Sequence, residues 1–508
     1  MLALVPLPAN GQTILFEDFE AGWGSWSADN GVWGVGTPTA GPAACYAGSQ
    51  CAGTVLGGDY PPITDSRLIS PTVTLDGISS EEEIHLVFES WFSYSDDQGL
   101  VQISNWDGAT GTWSDWQTVG QFIGIGGSPV WSLTGRDISA YAGETVRIAF
   151  YHIAGTFGQA AGWYVDNITI VKRTPAFGGD FESGWGDWYT ENGVWEVGTP
   201  TAGPAACYAG SQCAGTVLGG DYPPITDSRL ISPTVTLDGL SGDEEIHLVF
   251  ESWFSYSDDY GQVQISTWDG AMGTWSDWQT VGGVVGIGGS PVWSSTGRDI
   301  SAYAGETVRI AFFHIANTFN QTAGWFLDNI TIVKRTPAFG GDFESGWGDW
   351  YSENGVWEVG TPTAGPASCY AGTQCAGTVL GGNYPAVTDS RLISPTVTLN
   401  RSGTDPITLR FFHWFAYSDD LGRVQISSFD SGSGEWSAWT TIGPDITASS
   451  SVWSPTVRDL FAYDGKKVRI AFFHIAGTFG QAAGWYVDNI EITGIVLGDD
   501  VLFKDGFE

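Results

Sequence analysis

The chain has 508 residues, of which 57 are Asp or Glu and only 19 Lys or Arg, giving a formal net charge of −38. That balance repels phosphate-rich partners and so excludes nucleic acid and a bare anionic membrane as natural ligands, although the field is screened beyond about 8 Å in physiological salt. It favours divalent cations, and 71 Gly with 26 Trp suit turn-dense antiparallel sheets packed around large rings.

In chain order, residues 1–12 come first. The run Leu2-Ala-Leu-Val-Pro-Leu-Pro-Ala-Asn-Gly-Gln12 reads as the remnant of a signal peptide, apolar and then small-x-small at Ala9 and Gly11, without the basic region that opens such peptides. No later stretch approaches the ~18 apolar residues of a transmembrane helix.

From there the sequence repeats itself. Val35 to Gly77 recurs letter for letter as Val197 to Gly239 and with few changes around Val359 to Leu399, and Glu20, Glu182 and Glu344 set a period of 162 residues. This is the size of a whole domain and far above solenoid periods of ~20–50 residues. Three domains are expected, 13–174, 175–336 and 337–495, joined by Lys172-Arg-Thr-Pro-Ala-Phe177 and Lys334-Arg-Thr-Pro-Ala-Phe339. A tail, 496–508, follows.

Within each repeat the segments are short, rich in β-branched and aromatic residues, and bounded by Gly, Pro, Asp and Ser. Examples are Ile84-His-Leu-Val-Phe-Glu-Ser-Trp-Phe92, Val146-Arg-Ile-Ala-Phe-Tyr-His-Ile153 and Trp163-Tyr-Val-Asp-Asn-Ile-Thr-Ile170. Nothing has helical period. The expected fold is all-β: three tandem antiparallel β-sandwiches of jelly-roll, concanavalin-like type.

The six cysteines fall two per repeat at constant spacing: Cys45 and Cys51, Cys207 and Cys213, Cys369 and Cys375. A local disulfide in each repeat is the economical reading and points to export. Closing so short a loop stabilises by about 2 kcal/mol in the chain-entropy model. Zinc fits less well, because two thiolates without a nearby histidine half-fill a tetrahedral site; buried free thiols are the remaining alternative.

Carboxylates carry the sharpest chemistry. Period-two alternation puts Asp166 on the side of Ile168 and Ile170, where a bare charge needs a partner. Each repeat opens on an acidic strand, with Glu20, Glu182 or Glu344, and carries an Asp before an Arg, as in Asp65-Ser-Arg67. Calcium takes six to eight oxygens from strands distant in sequence. The expected sites are Glu20, Asp65 and Asp166; Glu182, Asp227 and Asp328; Glu344, Asp389 and Asp488; Asp18 or Asn167 are possible contributors. The alternative is a salt bridge of Asp65 or Asp166 with Arg67 or Arg147.

The order of Phe16-Glu17 near the start, Leu68-Ile-Ser-Pro71 in the middle and Gly162-Trp-Tyr-Val-Asp-Asn-Ile168 at the end resembles the jelly-roll superfamily of MAM domains and the cleaved-adhesin (choice-of-anchor J) domains of bacterial surface proteins. The resemblance covers all three repeats. It implies extracellular sandwiches with structural calcium near the opening acidic residue and the closing Asp-Asn, hence Glu20 with Asp166, Glu182 with Asp328, and Glu344 with Asp488. The Asp-Gly-Asp-Gly loop of some adhesin copies is replaced here by Asp29-Asn-Gly-Val-Trp33, which puts calcium ligands from that loop in doubt.

Weaker candidates remain. Asp96-Asp97, Asp258-Asp259 and Asp419-Asp420 sit in turns, where solvated carboxylates are the ordinary explanation. Trp113 and Trp116, with Trp275 and Trp278 and with Trp436 and Trp439, could stack a sugar ring, core or turn packing being the alternative. His152, His314 and His474 recur in strands without a nucleophile nearby. No catalytic residue is nominated, and three near-identical copies suit avidity better than turnover. The expected protein is a secreted or surface-associated, calcium-stabilised adhesion array for a glycan or protein ligand. A second reading is a structural homopolymer formed through residues 498–508, whose Val501-Leu-Phe-Lys-Asp505 resembles an opening strand, and a third is a glycan-processing enzyme.

Overall fold

The computed structural model describes residues 11–124, 126–286 and 288–496. These residues are almost entirely β-structure, the exceptions being three single-turn 3₁₀ helices, Ser139–Tyr141, Ser301–Tyr303 and Phe461–Tyr463. Among them no helix is long and apolar enough to cross a membrane. The tail expected to form an extra strand lies outside the described residues, as do positions 1–10 of the leader; Gly11 and Gln12 already belong to the first strand, Gly11–Glu17.

The first repeat is an antiparallel sandwich. One sheet orders Ser132–Asp137, Glu83–Tyr94, Gly162–Arg173, Cys51–Thr54 and Trp33–Gly36; the other orders Gln117–Thr118, Gln98–Asp107, Thr145–Ala154, Thr64–Ile69 and Ser27–Ala28. Between them lies a ring-rich core in which Phe88 from one sheet meets Phe150 from the other at 4.9 Å and Phe150 meets Trp163 at 5.4 Å. Each ring pair removes a large apolar area from water and interlocks edge to face, which adds to the β-preference of these aromatic and β-branched strands in holding a fixed register. The third repeat has the same two layers, built on Thr408–Ala416 with Gly484–Thr493 and on Leu421–Asp430 with Lys467–Ala476.

The chain divides into two compact units, Met1–Asp238 with Tyr256–Gly286 and Gly305–Thr331, and Gly239–Ser255 with Ile287–Ala304 and Ile332–Glu508. The second repeat therefore supplies strands to both units, a division that sequence periodicity does not show. Its physical reason is that sheets continue across repeats. In the first unit Thr134 bridges in parallel to Thr190, and Tyr189–Glu191 then pairs with Thr226–Ile231. In the second unit Thr296 bridges to Ser352, and Tyr351–Glu353 pairs with Thr388–Ile393. The expected linkers are pinned rather than free: Arg173 pairs with Asp187 and Arg335 with Asp349, both at 2.8 Å.

Each junction turns on one glycine. A Cβ on Gly135 would lie 2.6 Å from the Tyr189 ring, and one on Gly297 would lie 2.7 Å from Tyr351, so only glycine admits the incoming tyrosine. At the register position of Gly135 the third repeat has Val457, which is 53% exposed. The tyrosine position is Ser27 in the first repeat.

Candidate functional site

All three expected cysteine pairs are disulfides: Cys45 with Cys51, Cys207 with Cys213, and Cys369 with Cys375, at Cα separations of 5.6, 5.6 and 5.5 Å. Among the described residues no cysteine is free, so the zinc and free-thiol alternatives fall away. The second member of each pair, Cys51, Cys213 or Cys375, opens a buried strand and anchors the loop to the sheet. That loop is the centre of the site. In the first repeat the amides of Ser49 and Gln50 both donate to Glu20 Oε1 at 2.7 Å, and the Ser49 hydroxyl donates to Oε2 at 3.1 Å. The Ala47 amide donates to Asp166 Oδ2 at 3.1 Å, while Asn167 N, at φ +47°, donates to Oδ1 at 2.8 Å. One cross-linked loop thus grips two carboxylates from separate parts of the chain.

The later repeats copy this geometry. Ser211 and Gln212 donate to Glu182 at 2.9 Å and Ala209 to Asp328 at 3.0 Å; Thr373 and Gln374 donate to Glu344 at 3.0 Å and Ala371 to Asp488 at 3.0 Å. The residue that makes the grip possible is one the sequence reading did not single out, Gly48, repeated as Gly210 and Gly372. It sits at φ +61° with Glu20 Oε1 only 2.4 Å from where a Cβ would be. Only glycine brings a backbone so close to a carboxylate at positive φ.

The two carboxylates differ in electrostatics. Amide donors from Gln50 and Ser49 hold Glu20 below its ordinary pKa. Asp166 is fully buried, and desolvation pushes it up to about 7, with the nearby Glu20 and Asp18 charges adding to the rise. Desolvation likewise raises Asp328, and takes Asp488 to about 6. Behind Asp166 stands Glu89, opposite it in the antiparallel register, buried and raised to about 8 by desolvation, with a hydrogen bond from Tyr46 of the disulfide loop. Glu89 was not among the sequence candidates.

Asp65 does not join this group. It lies on Thr64–Ile69 in the opposite sheet, where its Oδ1 accepts from Asn30 Nδ2 at 2.9 Å. Asp227 and Asp389 likewise accept from Asn192 and Asn354. The salt-bridge alternative also falls away, because among the described residues neither Asp65 nor Asp166 forms an ion pair and Arg67 pairs instead with Asp29 at 3.5 Å. No group of three or more His, Cys, Asp and Glu among the described residues is placed to hold a metal ion. A hard cation would fit Glu20 and Asp166 in charge and ligand type, since their mutual repulsion has no cationic partner among the described residues, with the remaining oxygens drawn from backbone, amide or water.

The indoles are engaged by arginines. Arg147 lies 4.6 Å from both Trp113 and Trp116, Arg309 lies 4.5 and 4.8 Å from Trp275 and Trp278, and Arg469 lies 4.5 and 5.0 Å from Trp436 and Trp439. The Trp275 indole also donates to Asp137 of the preceding repeat, and that of Trp436 to Asp299. His152 is buried between Thr64 Oγ1 and Tyr94 OH, at 3.1 and 3.0 Å, and desolvation lowers its pKa to about 4; His314 and His474 are lowered to about 3. In the Asp-Asp turns the second carboxylate is structural: Asp97 accepts from Tyr60 OH and from Gly155 N, each at 2.7 Å.

No family model matches the chain. Bacillopeptidase F of Bacillus subtilis (strain 168) is 27% identical over 168 residues, which span 33% of this chain and 11% of that protein. Among solved structures, the tandem CBM22-1–CBM22-2 domain of Paenibacillus barcinonensis Xyn10C is 13% identical at a TM-score of 0.24, covering 66% of this chain and 100% of that one. The K3 cleaved adhesin domain of Lys-gingipain from Porphyromonas gingivalis is 20% identical at a TM-score of 0.21, covering 31% of this chain and 98% of that one.

Proposed function

We propose that this chain is an extracellular adhesion array whose disulfide loops are stabilised by calcium and whose repeats bind a glycan or another surface ligand. The observation that carries the reading is the recurrence of one arrangement three times: a cross-linked loop holding a Glu and a buried Asp that have no cationic partner among the described residues. The disulfides support an oxidising compartment. Glu20, Glu182 and Glu344 with Asp166, Asp328 and Asp488 would hold the ion, which would supply the positive charge these loops lack. Bound there, it would fix the loop against the opening strand.

Self-assembly is the less favoured reading. The segment it would use, residues 498–508, lies outside the described residues, whereas the loop that holds the two carboxylates recurs within each repeat. The test is retention of the full chain on a glycan array, in calcium and in chelator. Calcium-dependent retention is expected; equal retention in chelator would separate binding from the metal, and none under either condition would overturn the adhesion reading.

A further inference from the structure

Each repeat displays an apolar ring that the fold does not use. Phe157, Phe319 and Phe479 are 79%, 74% and 79% exposed. Their flanking residues vary, Gly155 and Gly158 becoming Asn317 and Asn320 in the second repeat, yet the phenylalanine stands in all three. The loop that carries the ring is pinned at its backbone. Gly155 N donates to buried Asp97, Tyr60 OH donates to both Asp97 Oδ2 and the Gly158 carbonyl, and Ile63 N donates to the Gly155 carbonyl at 2.8 Å. The third repeat reproduces each contact through Asp420, Tyr384 and Val387.

The base of this loop is one of several strained positions in each repeat, Val55, Val217 and Val379 being others. Ile63, Ile225 and Val387 hold φ at +54°, +55° and +54°, a region β-branched residues rarely enter and one that clusters at binding sites. The residue after the phenylalanine adjoins an exposed carboxylate: Gly158 packs against Ser95 and Asp96, and Gly480 against Ser418 and Asp419. The two members of each Asp-Asp turn thus divide their work, the buried one fixing the loop and the outer one exposed, Asp258 also accepting from Asn320 Nδ2 in the second repeat.

From this geometry we infer that the phenylalanine tips, Phe157 with Asp96, Phe319 with Asp258 and Phe479 with Asp419, are saccharide-binding sites for a neutral polysaccharide. The inference rests on the adhesion reading above and gives it a site and a ligand class. An aromatic face packs on the C–H face of a sugar ring, and an adjacent carboxylate accepts from its hydroxyls in a charge-assisted hydrogen bond. The net charge of −38 disfavours anionic glycans and anionic lipid. One ring per repeat makes each site weak, and three on one chain restore affinity through multivalency.

The test is affinity electrophoresis of the full chain, with calcium present, in native gels containing mixed-linkage β-glucan, neutral arabinoxylan, galactomannan or amylose. Retardation in at least one gel is expected. The F157A/F319A/F479A variant should bind at least ~10-fold more weakly, with D96N/D258N/D419N reduced in the same gel and both melting as the wild type does, because the rings are exposed. Equal retardation of the phenylalanine variant would overturn the tip assignment and leave the adhesion reading standing. No retardation of the wild type in any gel would overturn the neutral-polysaccharide assignment, and retention on the glycan array would then still uphold adhesion. Sedimentation with phosphatidylcholine vesicles that the phenylalanine variant loses would reassign the tips to a lipid surface.

Discussion

In the first repeat the wall behind Asp166 is a carboxylate, Glu89, whereas the same register position opposite Asp488 in the third repeat is Phe412. Tyr46 gives its hydroxyl to Glu89; its counterpart Tyr370 lays its ring flat on Phe412, with centroids 3.5 Å apart. The disulfide loop, its glycine and its Glu-Asp pair are the same in both. The loop therefore closes over a buried acid in one repeat and over a buried ring in the other, and what the first repeat adds is an ionisable carboxyl group. Either a proton or a cation must compensate its charge once the site is dry.

The comparison breaks most visibly when the two walls are exchanged. Phe412→Glu removes the Tyr370 stack and sets a second carboxylate opposite Asp488, and should destabilise the earliest unfolding transition by roughly 3–5 kcal/mol in chelator at pH 8. Glu89→Phe should be neutral or stabilising under the same conditions. Thermal melts of the full chain that show the two exchanges to be equivalent would remove the distinction between the repeats.

A pH series sharpens it. The folded pKa of Glu89, about 8, lies above its ordinary 4.5, so the folded chain holds that proton more tightly than the unfolded chain. Its contribution to stability is complete below pH 4.5 and is lost as pH rises through 8, at about 1.4 kcal/mol per unit within that window. In metal-free buffer Glu89→Gln should lessen the decline between about pH 5 and 8, leaving the part due to Asp166, Asp328 and Asp488. Phe412→Leu should leave it in place.

Smaller and common to both repeats is the effect of the loop glycine. Gly48→Ala drives a Cβ toward Glu20 Oε1 at φ +61°, and Gly372→Ala does the same at Glu344. Each should cost about 1–3 kcal/mol. A marked difference between them would show that the grip on the glutamate is not shared.

Much of this was legible in the residues. The cysteine spacing gave the loops, but alternation along Trp163–Ile170 assigned Asp166 to the wrong face: Asn167, at φ +47°, shifts the register between Asp166 and Thr169, so Ile168 and Ile170 join Trp163 and Val165 in the core while Asp166 lies with Glu89 on the other face, under the disulfide loop. Asp65 misled for a related reason: period two tells which residues share a face but not which sheet a strand enters, and its strand joins the layer opposite Asp166. Sugar stacking and packing stayed open for Trp113 and Trp116 because the arginine that meets them, Arg147, comes from another strand. Gly48 and Glu89 gave no separable signal. One glycine among 71 becomes informative only when its φ is known, and Glu89 occupies a strand buried on both faces, where alternation fails.

Calorimetric titration of the metal-free full chain with calcium tests the central claim most directly. Saturable binding near three equivalents is predicted, with a reversible rise in melting temperature corresponding to about 2.7 kcal/mol per site at a hundredfold excess over Kd, and both should vanish in E20Q/E182Q/E344Q. No heat and superimposable melts with and without calcium would contradict it, leaving the carboxylates as anchors for the disulfide loops alone.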